Sequence, residues 1–330
     1  MNPVSASDAR RLHREAIVVD AAVTLLDDPH RLAAQLPEAG EAGLTVALIT
    51  VGSQDDLANT VRNIASWHPA LEQHGDRIRL ATRAKDIDDA KAEGRCAIVF
   101  HFQNTRPFEG DTRLVRVFKD LGVRVVGLTY NERNLVGDGC TEPTDVGLSE
   151  FGRELIRELN RHGVLVDLSH VGDRTSREAI EASDAPVVFT HSNARSVCHH
   201  PRNIPDEHIT LVAKKGGMVG INVFPAFVKR DGPTLENVLD HVDHVVRLAG
   251  VDHVGFGLDL NTGGSVEMFY RLKFKPEFYP LPPWKFPEGI SRLSEWPNLT
   301  EGLLRRGYGR DDVLKILGGN FLRVVRRVWQ

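Results

Sequence analysis

Eight short apolar runs, rich in Val, Ile and Leu, recur along the whole chain, at residues 16–23, 44–51, 96–103, 123–130, 164–170, 185–192, 217–224 and 252–259. Near-continuous runs of this composition mark strands buried on both faces, as in a parallel sheet. Helix-like segments fill most of the gaps. Residues 111–122 open on Asp111 and close on Gly122, residues 149–163 open on Ser149 and close on Gly163, and residues 175–183 and 233–250 follow the same grammar. Strand–helix alternation predicts a parallel sheet, and eight units are what a TIM-like (β/α)8 barrel needs to close. An open doubly wound sheet usually carries a Gly-rich phosphate loop after its first strand, and "VVDAAVTLLDDPH" has no glycine. The expectation is one barrel domain over residues 1–330. It carries an insertion at 269–298, rich in Pro and aromatics, that reads as a lid over the barrel mouth or a dimer contact.

Composition narrows the function. The net charge of −4 comes with no Lys/Arg block, so nothing points to nucleic acid or an anionic membrane surface. Three scattered cysteines, with no C-x-x-C, argue against a disulfide framework. The opening residues are polar and lack a signal-peptide core, and no apolar run approaches the roughly 18 residues of a spanning helix. A cytoplasmic, reduced protein is expected.

In a barrel the carboxyl ends of the strands form the catalytic side. Polar residues gather there: Gln103-Asn104, Tyr130-Asn131, His170, His191-Ser192, Asn222 and Asp259 end successive runs. One strand-terminal histidine alone reads as a hydrogen-bonded structural residue. Two on consecutive strands, His170 and His191, are placed to share a borderline metal such as zinc. Asp259 faces them as a third ligand or as general base on a metal-bound water. His101 reads as a core histidine with its hydrogen bonds met, or as a deep ligand. His199 and His200 read as solvent or loop-packing residues, and His241 and His244 as surface residues of the last predicted helix. Glu132, Asp138, Cys140 and Glu142 read as a capped Gly-rich loop in preference to replacement ligands.

The stretches "VLVDLSHVGDRT", "PVVFTHSNARSVCHHPRNIPDE", "HVGFGLD" and "LKILGGNFLRVVRRV" resemble the renal (membrane) dipeptidase family of metallopeptidases, relatives of the amidohydrolases, and the resemblance runs from Ile17 to Val328. It implies a TIM-like barrel, typically with two zinc ions, that cleaves dipeptides, some with a D-residue at the carboxyl end. It further implies that His170 and His191 hold the second metal, that Arg202 grips the substrate carboxylate, and that Asp259 takes and delivers the catalytic proton. Bidentate pairing suits arginine to that task.

The chain departs from this pattern on one side. Where the family's first strand carries the His-x-Asp pair for the first metal, this sequence has Ala22 and Thr24. The bridging glutamate is matched by Gln103, a neutral amide that cancels none of the repulsion between two dications. The substrate-contacting histidine is matched by Tyr130. The expectation is one zinc on His170 and His191, with Asp259 or Gln103 and water completing the shell; Asp20, His101 and Glu142 are further candidates. The expected reaction is metal-assisted hydrolysis of a small dipeptide or amide bearing a carboxylate. Asp259 accepts the proton, Tyr130 or Asn131 stabilises the oxyanion, and Arg202, Tyr130 and Gln103 bind substrate. A metal-independent or lyase-type enzyme and a non-catalytic binding protein are the alternatives on the same barrel. The partner is a small molecule, with no nucleic acid and no membrane, and a homodimer accords with the resemblance and the aromatic insertion.

Overall fold

The computed structural model describes residues 6–329 apart from 25, 27 and 273. Among them nine strands form: β1 (Val19–Val23), β2 (Val46–Gly52), β3 (Ile78–Leu80), β4 (Cys96–Phe102), β5 (Val123–Gly127), β6 (Leu165–Asp167), β7 (Val187–Phe189), β8 (Met218–Ile221) and β9 (Val254–Phe256). They hydrogen-bond in the order β1-β2-β4-β5-β6-β7-β8-β9, every pair parallel. With helices in the crossovers this is a nearly closed TIM-like (β/α)8 barrel. The eight expected strands are present, each shorter than its apolar run. The short β3 was not anticipated. Its three residues pair with the first half of β4, from Ile78↔Cys96 to Leu80↔Ile98, before β5 takes over that edge at Phe100.

Alternation along the strands builds two cores. Val19, Val46, Leu48, Ala97, Val99, Val125 and Leu165 pack with Phe321, Leu322 and Val325 of the carboxyl-terminal helix Asn320–Val328. The alternate residues Ala47, Ile49, Ile98, Phe100, Val126 and Val166 pack in a larger cluster with the surrounding helices. Both strand faces are therefore apolar, which is why the runs read as continuous.

β1 and β9 meet without a regular ladder. The Asp20 carboxylate accepts from Leu258 N at 2.8 Å and Ala22 N at 3.1 Å, and Asp259 N donates to Ala22 O at 3.0 Å. Asp20 thus staples the seam. Burial pushes its carboxyl up to about 6, against the pull of those two backbone donors.

The helix grammar holds at Glu150–Arg161, where Ser149 Oγ accepts from Gly152 N at 2.9 Å and Leu155, Ile156 and Leu159 form the buried stripe. The expected helix at 111–122 is shorter, Leu114–Asp120, because the Asp111 carboxylate is engaged by Arg113 instead of capping it. His241 and His244 are buried, contrary to the surface placement expected. They lie on the inner face of Leu235–Ala249, where His241 Nε2 donates to Val228 O at 3.0 Å and His244 Nε2 lies 2.8 Å from Asp206 Oδ1. Among the described residues no helix is long and apolar enough to cross a membrane.

Candidate active site at the barrel mouth

Toward the carboxyl ends of the strands the inward column turns from apolar to polar. His101 follows Val99, Asp167 follows Leu165 and Thr190 follows Val188. Asp167 is the hub. Its Oδ1 accepts from Ser169 N, Ser169 Oγ and Thr190 N at 2.9–3.0 Å; its Oδ2 accepts from Thr190 Oγ1 at 2.6 Å and lies 3.2 Å from His101 Nε2. Burial works to raise this carboxyl, but the His101 hydrogen bond and charge, with the Thr190 bond, outweigh it and hold it well below the usual range. His101 is thus a buried, carboxylate-bonded histidine.

The hub fixes a tautomer. Thr190 gives its proton to Asp167, so its oxygen accepts from His191 Nδ1 at 2.7 Å. Asn131 Oδ1 acts likewise for His170. It accepts from Tyr279 OH at 3.1 Å, from Cys140 Sγ at 3.4 Å and from His170 Nδ1 at 2.8 Å. Both imidazoles carry their proton on Nδ1 and present a lone pair at Nε2. The two Nε2 atoms stand 2.9 Å apart. Burial first, then the charge of Arg202, holds both rings well below the ordinary histidine pKa and so neutral. The Tyr130 ring stacks on His170 with centroids 4.2 Å apart.

The strand ends are conformationally strained. Asn131, His170 and Asp259 have φ of 62°, 69° and 52°, the left-handed region that L-residues avoid. At His170 the conformation is held by its carbonyl, which accepts from Cys140 N at 2.8 Å and Thr129 Oγ1 at 3.3 Å.

Arg202 lies against the histidines, 2% exposed. Its Nη2 donates to His191 O at 3.1 Å and to His170 Nε2 at 3.3 Å, and its guanidinium carbon sits 5.2 Å from the Phe227 ring centroid. Its Nε is buried with no partner, and no carboxylate among the described residues pairs with it. A buried cation in that state is costly and suits an anionic ligand. Asp259, Gln103, Tyr130 and His170 line one cavity of about 160 Å³. The partly exposed Asp259 carboxyl is pushed up to about 7 by desolvation, with Arg202 opposing and Asp20 adding to the rise.

The donor set can be tested against a metal. Two Nε2 lone pairs, each fixed by a hydrogen bond at Nδ1, are the arrangement a borderline dication takes from histidine. Elsewhere the fit is poor. Thr24 Oγ1 donates to Leu260 O at 2.6 Å, Gln103 Nε2 donates to Thr50 Oγ1 at 2.8 Å, and Ala22 has no donor. Among the described residues no group of three or more His, Cys, Asp and Glu could hold an ion.

The loop after β5 uses its own polar groups. Asp138 pairs with Arg133 and accepts from Val146 N at 2.6 Å, and Glu142 accepts from Arg133 N at 2.7 Å. His200 packs in its loop with Nε2 2.7 Å from Phe278 O. Sequence reasoning missed Tyr279 and Phe274. Phe274 stacks on Tyr279 at 4.3 Å and lies 6.3 Å from Tyr130, and Phe224, Phe227 and Phe269 complete the aromatic cluster over the site. The aromatic richness of the insertion was the available signal. Thr190 and Ser169 were also missed, since nothing in "LSH" or "FTHS" distinguishes a tautomer-setting hydroxyl from an ordinary one.

The chain is similar to several known proteins. Residues 7–269 and 283–330 match the membrane dipeptidase family, peptidase family M19. Dipeptidase tcpJ of Claviceps purpurea is 33% identical over 276 residues, covering 82% of this chain and 60% of its own length. Dipeptidase 3 of Rattus norvegicus is 31% identical over 277 residues, covering 82% of this chain and 51% of its own. The chain thus spans between half and two thirds of these relatives. An amidohydrolase from Pseudomonas aeruginosa superposes with a TM-score of 0.89 at 36% identity, covering 97% of this chain and 99% of that one. A metallo peptidase from Rhodobacter sphaeroides, liganded with a phosphinate mimic of L-Ala-D-Ala, shares the fold with a TM-score of 0.81 at 22% identity over 95% of this chain and all of that one. On its match over nearly all its length, and with the barrel to go with it, the chain belongs to the membrane dipeptidase family of metallopeptidases.

Proposed function

We propose that this family member is a hydrolase of small dipeptides or amides bearing a carboxylate, working with one metal ion instead of two. The observation that carries the reading is the convergence of His170 and His191 Nε2 lone pairs at 2.9 Å, each set by a bond at Nδ1. The positions that resemble first-metal ligands, Ala22, Thr24 and Gln103, offer no charged donor. When bound by the two histidines, zinc would supply carbonyl polarisation and a more acidic water.

The chain's own residues supply the remainder. Arg202 binds the substrate carboxylate through a guanidinium that pairs with no anion among the described residues. Asp259, with its pKa near neutrality, takes the proton of the attacking water and returns it to the leaving amine. Burial raises the Tyr130 hydroxyl and keeps it protonated, so it donates to the developing oxyanion beside Asn131. Gln103 lines the substrate side of the cavity, and the aromatic segment 269–298 roofs the same barrel domain and excludes water. The three free thiols support a cytoplasmic setting. The homodimer belongs to the same proposal and is read by sedimentation.

The test is metal content of chelator-free protein beside a His170→Ala/His191→Ala variant, with turnover of a dipeptide panel. About one metal per chain, lost with activity in the variant, is the expected result; full activity in the variant refutes it. One observation favours a second reading. Arg202 Nη2 at 3.3 Å from His170 Nε2 already sets a cation against the pair, which suits metal-independent chemistry. Activity that survives a chelator selects that reading, and tight binding without turnover selects a binding protein.

A further inference from the structure

The cavity lined by His170 and Asp259 is small. Its 160 Å³ falls below the roughly 300–1,000 Å³ of ordinary ligand pockets. A substrate held there has to extend beyond it. One side opens onto a second cavity of about 660 Å³, and Thr24, Thr50, Asn261, Met268 and Arg271 belong to the walls of both. This is the side on which Thr24 stands where the family resemblance places a metal-binding carboxylate.

Among its described lining residues the second cavity is cationic. Arg31, Arg62 and Arg271 line it, and Asp28 is the one carboxylate among its described lining residues. The Asp28 carboxylate accepts from His30 N at 2.9 Å and Arg62 bonds Asn59 Oδ1 at 3.0 Å, whereas Arg31 and Arg271 have no ion-pair partner among the described residues. The chamber on the other side of Tyr130 is different: two arginines, Arg106 and Arg133, and two glutamates, Glu109 and Glu132, are among its lining residues. Among the described lining residues the charge around the site is therefore lopsided, positive toward β1 and β2 and balanced toward β5.

We propose that the arginine-lined chamber is a specificity subsite for a second carboxylate, so that the preferred substrates are acidic dipeptides or N-acyl amino acids. On that reading Arg202, which lies against the lining residues His170 and Phe227, takes one carboxylate, and Arg31 and Arg271 take the other at the chamber wall. Guanidinium forks suit carboxylates by geometry as well as charge. The inference rests on the reading that Arg202 anchors a substrate carboxylate.

The experiment compares glycyl-glutamate with the isosteric glycyl-glutamine, in both L and D forms at the carboxyl-terminal residue. Binding is measured by titration calorimetry and turnover by amine release, in wild-type protein and an Arg31→Ala/Arg271→Ala variant. The acidic peptide of the preferred hand should bind at least ~10-fold more tightly at low salt, the preference shrinking as salt screens exposed charge. In the variant the preference should fall to within about 2-fold. An equal affinity for the two peptides in wild type, a preference that survives the variant, or no binding of either acidic peptide overturns the proposal. Because calorimetry needs no turnover, preferential binding without hydrolysis would refute the hydrolase reading and leave the subsite standing.

Discussion

Replacing Asp259 with asparagine should stabilise the fold, by an amount that depends on pH in a defined direction. Desolvation raises this carboxyl from 3.8 to about 7 in the native state, against the opposing field of Arg202. In the unfolded chain it titrates near its ordinary value. Between about pH 4 and 7 the native protein therefore holds a proton that the unfolded chain has released, so this group's contribution to stability falls as pH rises through that window and levels off above it. A rise from 3.8 to about 7 corresponds to about 4 kcal/mol. Water reaches the partly exposed carboxyl, which makes that figure a ceiling and about 2 kcal/mol a realistic gain. The assay is urea unfolding of wild type and Asp259→Asn at several pH values, in chelator so that no bound cation lowers the pKa. The two should be nearly equal at pH 4, and the variant should be the more stable at pH 8 while inactive. A stability difference that is flat with pH, or that favours wild type at pH 8, would refute the burial argument.

Other perturbations address different parts of the site. Thr190→Val keeps the shape but removes the acceptor for His191 Nδ1; zinc affinity by dye competition should fall ~10–100-fold, and Thr190→Ser should restore it. Arg202→Ala should raise KM with kcat little changed, by about 2–4 kcal/mol of lost binding, read from steady-state kinetics on a dipeptide. Gly220→Ala would set a Cβ 2.0 Å from Thr190 O, against the residue that orients His191; a loss of about 3 kcal/mol or failure to fold is expected from denaturant curves. Tyr279→Phe removes the 3.1 Å bond to Asn131 and should cost about 1 kcal/mol in the same assay.

The barrel was legible because it is a matter of count and order. Eight apolar runs separated by capped helical segments leave little other than a closed parallel sheet, and the runs stay apolar because both faces are buried. The positions of Gln103, Tyr130, His170, His191 and Asp259 were legible for the same reason, since a strand end is where a run stops. What the pattern could not carry was contact between distant segments. Tyr279 reaches Asn131 from 148 residues away, and His13 meets Thr300 across 287. The burial of His241 and His244 was hidden because a polar side chain on an inner helix face reads as an exposed one until its partners, Val228 O and Asp206, are known. Thr190 was hidden because its role depends on which oxygen its proton goes to.

The left-handed backbone at Asn131, His170 and Asp259 separates two kinds of fitness. Glycine adopts that conformation without the roughly 1–2 kcal/mol that other residues incur. A library of substitutions at these three positions, sorted only for folded protein, should therefore drift toward glycine, and toward asparagine at 170 and 259. The same library sorted for turnover should recover the parental residues. Positions where the two rankings invert in this way would mark the active centre without any knowledge of substrate, and a screen run on folding alone would erase it.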